Sequence, residues 1–158
     1  MPLYLIGDVQ GCDAPLGRLL SRIDFSPSRD TLIVLGDLVN RGPDSVAVLR
    51  RMQALGASAQ CLLGNHDLHL LGVANGVRSA GKRDTLGGIL SLPDRDAVLD
   101  WLRHQSMALH RKIDGQDLLM VHAGIPPQWT VGDTVRHAAE LEGVLRGAHY
   151  AEFLHEMY

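Results

Sequence analysis

Four short apolar runs set what this chain can fold into, because each is rich in branched residues and each stops abruptly at glycine and polar residues or at histidine. The runs are Leu3 to Ile6, Thr31 to Leu35, Ala59 to Leu63 and Leu118 to Val121. Runs this short, bounded by turn residues, have the pattern of buried strands. Between them lie stretches with helical spacing. Pro15 to Ile23 carries Leu16, Leu19, Leu20 and Ile23, and Ser45 to Leu55 carries Val46, Val48, Leu49, Met52 and Leu55. Strand alternating with helix predicts an α/β fold, a mostly parallel sheet with flanking crossover helices. Further helices are expected over 67–73, 94–104, 134–146 and from Tyr150 onward, with the glycine-rich stretch Gly76 to Gly88 as a long loop.

A length of 158 residues suits one domain, and no repeat, linker or low-complexity tract divides it. The helical pattern is still running at Met157 and Tyr158, so residues 1–158 are expected to be the N-terminal part of a domain whose remainder is missing. The formal charge is −3 and the basic residues are scattered, which argues against binding nucleic acid through its phosphate backbone. The opening MPLYLIGDVQG has no basic leader region, and no run approaches the roughly 20 apolar residues of a membrane span. A soluble cytoplasmic protein without membrane or nucleic-acid partners is expected. Cys12 and Cys61 form neither a metal-type spacing nor a disulfide framework and receive no role.

The strand ends carry the chemistry. The first run ends in Gly7, Asp8, Val9, Gln10 and Gly11, and the second in Gly36, Asp37, Leu38, Val39, Asn40, Arg41 and Gly42. The third ends in Gly64, Asn65, His66 and Asp67, and the fourth in His122, Ala123 and Gly124. In open α/β sheets ligands bind beyond the carboxyl ends of the strands, so these loops are expected to converge on one site. Carboxylate, amide oxygen and imidazole together suit divalent manganese, cobalt, iron or magnesium. Taken singly, Gly-Asp is a turn, Asn65 a left-handed turn residue, His122 a packed histidine and Arg41 a surface charge. Four such endings in series are what point to a site.

GDVQG, GDLVNRGPDS, GNHDLHLL and VHAGIPPQW resemble the ordered motif series of the calcineurin-like metallophosphoesterases, over nearly the whole chain. Within that superfamily the wording is most similar to the symmetrical diadenosine tetraphosphatases. The resemblance implies a two-sheet sandwich, of which only about half can be built from the strands visible here, with either a second copy of the chain or flanking sequence covering the exposed sheet face. It implies two divalent metal ions, manganese or cobalt first, and cleavage of diadenosine tetraphosphate to two ADP. Asp8 would bind the first metal with Gln10, which stands where the broader family has a histidine. Asp37 would bridge both metals, and Asn65 and His122 would bind the second. His66 would be the general acid or a transition-state contact, and Arg41 would grip phosphate oxygens. The family's further histidine ligand lies in a C-terminal segment not matched here.

Related protein phosphatases carry aspartate where this chain has Asn40, beside the catalytic histidine. A neutral amide stabilises a protonated imidazole less than a carboxylate does, so His66 is expected to be the weaker proton source. A phosphate leaving group, with a second pKa near about 6, needs less acid help than an alkoxide near about 15.7. Asn40 thus tilts the choice toward phosphoanhydrides and away from a serine/threonine protein phosphatase, while the unmatched C-terminal ligand leaves a noncatalytic fragment as the alternative from another class. His69 either faces the site and contacts substrate or is a surface or core residue. Lys82 and Arg83 either contact the polyphosphate or belong to a solvated loop, and Trp129 either stacks on a base or packs in the core, the latter being expected.

Overall fold

The computed structural model describes residues 2–157. Its centre is a parallel sheet of β1 (Leu3–Ile6), β2 (Thr31–Val34) and β3 (Ala59–Cys61), in that order. Leu3 pairs with Thr31, Ile6 with Val34, and Val34 in turn with Cys61. Parallel neighbours need a crossover, and α1 (Asp13–Arg22) and α2 (Ser45–Leu55) supply the two. Asp44 caps α2 by accepting from the Ala47 amide at 2.9 Å, and Arg51 of α2 grips Asp13 of α1 at 2.6 and 2.7 Å. The chain continues through α3 (Asn65–Ala74), the short α4 (Gly87–Leu90) and α5 (Arg95–Arg103). After β4 (Ala108–Ile113) and β5 (Gln116–Val121) come α6 (Val131–Arg146) and α7 (Tyr150–Met157).

Alternation along β2 divides the core. Leu32 and Val34 are fully buried in the main cluster with Leu16, Leu49, Met52, Leu70 and Leu71, whereas Ile33 points to the other face and packs with Leu62 and Met120. Each fully buried aliphatic side chain of this kind contributes about 1.5–3 kcal/mol.

The structure revises the sequence reading at three places. The fourth apolar run does not extend the parallel sheet: it lies in β5, which pairs antiparallel with β4 in a separate two-stranded sheet. Asp114 and Gly115 join the pair with φ of 50° and 81°, positive at both central residues, which suits the twist of a two-residue hairpin. Strand β3 stops at Cys61, and Leu62 makes one parallel bridge to Ser106. Helix α3 begins at Asn65, so Asp67 lies in its first turn. The hairpin covers part of the second sheet face through Met120, while Leu5 stays 43% exposed. Among the described residues no helix is long and apolar enough to cross a membrane.

Candidate metal and phosphate site

The loops after β1 and β2 are built from strained backbone. Gln10, Asp37, Asn40 and Arg41 all have positive φ, at 44°, 52°, 76° and 60°. Side-chain-bearing residues in this region cost of order 1–3 kcal/mol each and persist only where their surroundings hold them. Here the amides of Val9 and Gln10 both donate to the Asp37 carbonyl, at 3.1 and 2.7 Å, and the Gly11 amide donates to Leu38 at 2.9 Å. The Asn40 amide donates to the Ser45 hydroxyl at 2.9 Å. The fully buried Asp67 carboxylate accepts from Leu38 and Val39 on one oxygen, at 3.0 and 3.3 Å, and from Gly64 on the other at 2.8 Å. Burial pushes its carboxyl up to about 7, with Asp37 adding to the rise and the three amides opposing it. Asp67 binds the loops to one another through main-chain amides.

Asp8, Asp37 and His122 each offer one ligand atom, all within 4.8 Å of one another. His122 donates from Nδ1 to the Leu35 carbonyl at 2.8 Å, which leaves the Nε2 lone pair 3.5 Å from Asp37 Oδ1 and 3.3 Å from Asn65 Oδ1. A histidine oriented through its other nitrogen is the usual arrangement at a metal centre. Close approach is possible only because the neighbours are small: a Cβ on Gly36, at φ +104°, would lie 2.5 Å from His122 Nδ1, and one on Gly64 would collide with Asp37. This donor set of carboxylate oxygens, amide oxygen and imidazole fits a divalent cation. Gln10 is at the site, with Nε2 3.1 Å from Asp37 Oδ2 and 3.5 Å from Asp8 Oδ2. Coordination by Gln10 requires the amide to turn and present Oε1.

Beside this cluster a cavity of about 240 Å³ is lined by Arg41, Asn65, His66, His69, Arg78 and Asp84. Asp84 is the residue that the sequence reading missed. Its carboxylate accepts from Asn40 Nδ2 at 2.9 Å, His69 Nε2 at 2.7 Å and the Gly81 amide at 2.6 Å, and Arg41 Nη1 lies at 3.6 Å. Burial opposes its ionisation, but the hydrogen bonds from Asn40, His69 and Gly81 prevail and hold the carboxyl well below the usual range. The segment over 76–88 therefore contributes to the site through Asp84 and through the Arg83 carbonyl, which accepts from Arg41 at 3.3 Å. His69 faces this cavity. An acid between Arg83 and Thr85 in a glycine-rich stretch carries no local signal of such a role. Trp129 is 39% exposed and stacks at 4.4 Å on His137, beside an apolar groove of about 340 Å³ next to Asn65 and His122, not in the core as expected.

A family model for the calcineurin-like phosphoesterases matches residues 1–156. Two curated proteins named symmetrical bis(5'-nucleosyl)-tetraphosphatase align with all of this chain. One, from Acidovorax sp. (strain JS42), is 60% identical over 158 residues, and the other, from Paracidovorax citrulli (strain AAC00-1), is 58% identical over the same length. The chain spans about half of these relatives, 56% of each. A crystal structure provisionally named as a diadenosine tetraphosphatase superposes with a TM-score of 0.67 at 34% identity, over 82% of this chain and 53% of that one. The cold-active protein-tyrosine phosphatase of a psychrophilic Shewanella species shares the fold, with a TM-score of 0.64 at 21% identity, over 96% of this chain and 54% of that one.

Proposed function

The chain belongs to the calcineurin-like phosphoesterase family, and from that premise we propose that residues 1–158 form the N-terminal part of a phosphoanhydride hydrolase that cleaves diadenosine tetraphosphate and related dinucleoside polyphosphates symmetrically, giving two ADP. One observation carries the choice of substrate: the 60% identity across the whole chain to a protein named for that reaction. The cytoplasmic location expected from the sequence belongs to the same reading.

Asp8, Asp37 and, with its amide turned, Gln10 would hold one divalent cation, and Asp37, Asn65 and His122 a second, manganese or cobalt being the proposed ions. Bound cations supply charge neutralisation at the phosphoryl oxygens and activation of water at neutral pH. The protein's own contribution is positional. Arg41, anchored at Asp84 and the Arg83 carbonyl, directs its guanidinium toward the cavity, where it can pair with equatorial phosphate oxygens. His66 borders the same space, its Nε2 3.9 Å from Asp37 Oδ2. His69, fixed by Asp84, lines the side on which the rest of the polyphosphate would lie. Attack by water is direct and in line, with no covalent intermediate.

The experiment is incubation with diadenosine tetraphosphate and manganese or cobalt, with products separated by anion exchange and His66→Ala as control. ADP alone, lost in the variant, is the expected result. ATP with AMP refutes symmetric cleavage, and bound dinucleotide without turnover supports a noncatalytic role for this chain. Faster turnover of a phosphopeptide would move the assignment to the protein phosphatases.

A further inference from the structure

Asn40 is fully buried, and every hydrogen-bonding position of its amide is engaged. Oδ1 accepts from the main-chain amides of Arg41 and Thr85, at 2.8 and 3.0 Å. Main-chain amides only donate, so the atom they meet is the oxygen and the other is the nitrogen. That nitrogen lies 2.9 Å from Asp84 Oδ1 and 3.1 Å from His66 Nδ1. An amide nitrogen has two hydrogens to give and accepts none. One hydrogen goes to the carboxylate, and the other meets His66 Nδ1, which must then present a lone pair.

We propose that Asn40, held in place by Asp84, fixes neutral His66 as the tautomer protonated at Nε2, so that His66 serves the reaction as a hydrogen-bond donor to a phosphoryl oxygen and not as a proton source. The tautomer follows from the geometry alone; only its use in the reaction rests on the function proposed above. Nε2 is the ring nitrogen that faces the acidic cluster, 3.9 Å from Asp37 Oδ2. Surrendering its single proton would leave an imidazolate, whereas donating a hydrogen bond costs nothing of the kind. A carboxylate at position 40 would do the opposite, accepting from Nδ1–H and favouring the tautomer protonated there. Asp84 is a positioning residue here. Its carboxylate accepts from Asn40 Nδ2 and acts by orienting that amide, with His69 and the Gly81 amide holding Asp84 in turn.

The test is nitrogen-15 NMR of the full chain labelled at histidine, with and without magnesium and without nucleotide, at mildly alkaline pH. His66 is assigned among the eight histidines by comparison with His66→Gln. The expected spectrum has His66 Nδ1 at the position of an unprotonated nitrogen and Nε2 at that of a protonated one. Asn40→Asp should reverse the pattern. Because a carboxylate at position 40 sits against Asp84, the double variant N40D/D84N is measured as well, and Asp84→Ala should relax the wild-type pattern toward a tautomer mixture. Protonation at Nδ1 in the wild type, or the same pattern in wild type and all three variants, overturns the proposal. No substrate enters the measurement, so failure of the dinucleotide reading and failure of this inference remain separate results.

Discussion

His122 Nδ1 lies 2.8 Å from the carbonyl oxygen of Leu35, so one hydrogen bond fixes the ring and turns Nε2 toward Asp37 and Asn65. Loss even of a supporting partner at such a centre costs about 10- to 100-fold in metal affinity. His122→Gln is therefore expected to weaken manganese binding by at least about tenfold. Calorimetric titration of the two proteins checks this, and equal affinities would remove His122 from the ligand set.

Asn40→Asp should raise turnover of phosphate monoesters relative to diadenosine tetraphosphate. General acid help is worth roughly 10²- to 10⁴-fold, and it matters most where the leaving group is a poor one. The ratio of the two kcat/KM values is the readout. An unchanged ratio defeats the argument from Asn40 to the anhydride.

Gly64→Ala brings a methyl group onto the side chain and amide of Asp37. Overpacking costs about 1–3 kcal/mol, and here the obstacle is partly backbone, so the loss should fall at the upper end. Gly87→Ala is the control, since nothing lies within 4 Å of its added Cβ. Urea unfolding should separate the two clearly. A neutral Gly64→Ala would mean that the loops after β2 and β3 are looser than described.

The depressed Asp84 carboxyl implies a definite dependence on pH. In the range between the native value and the ordinary 3.8, the unfolded chain binds the proton and the native chain does not. Stability from this group is therefore complete above 3.8 and is lost as pH falls toward the native value. Asp84→Asn should be less stable than wild type at neutral pH by about 1.5 kcal/mol or more, the scale of one hydrogen bond to a charged group. The gap should narrow on acidification below pH 3.8, and a gap that widens there would contradict the sign.

Burial pushes the Cys61 thiol up to about 12, with Asp67 adding to it, and Cys61 is only 3% exposed. A thiolate-directed alkylating reagent at neutral pH should therefore leave Cys61 untouched in the native protein and modify only the half-buried Cys12. Peptide mass mapping distinguishes the two, and rapid labelling of Cys61 would show that the core opens.

The parallel sheet was legible because its central strand, buried on both faces, is a continuous apolar run, Leu32, Ile33 and Val34, and its neighbours are short apolar runs of the same kind. The convergence of Asp8, Asp37 and His122 was legible because each sits beside a glycine or at a strand end. The hairpin was not, because Ala108 to Ile113 carries His110, Arg111 and Lys112 on a largely exposed strand, which leaves no alternation to detect. The Asp114–Gly115 pair was the available signal. Asp84 was hidden for a different reason: its role depends on a contact 44 residues away in sequence, with Asn40, and nothing in its neighbours marks it.

Asp67 never meets solvent, and none of its three partners is a side chain, yet it ties the backbone after β2 to the backbone before α3. For anyone regrafting this scaffold, the two segments are a single cassette. Libraries that vary residues 37–42 alone will mostly return broken proteins, and new specificities should come from exchanging both segments together, with the carboxylate kept as the clasp.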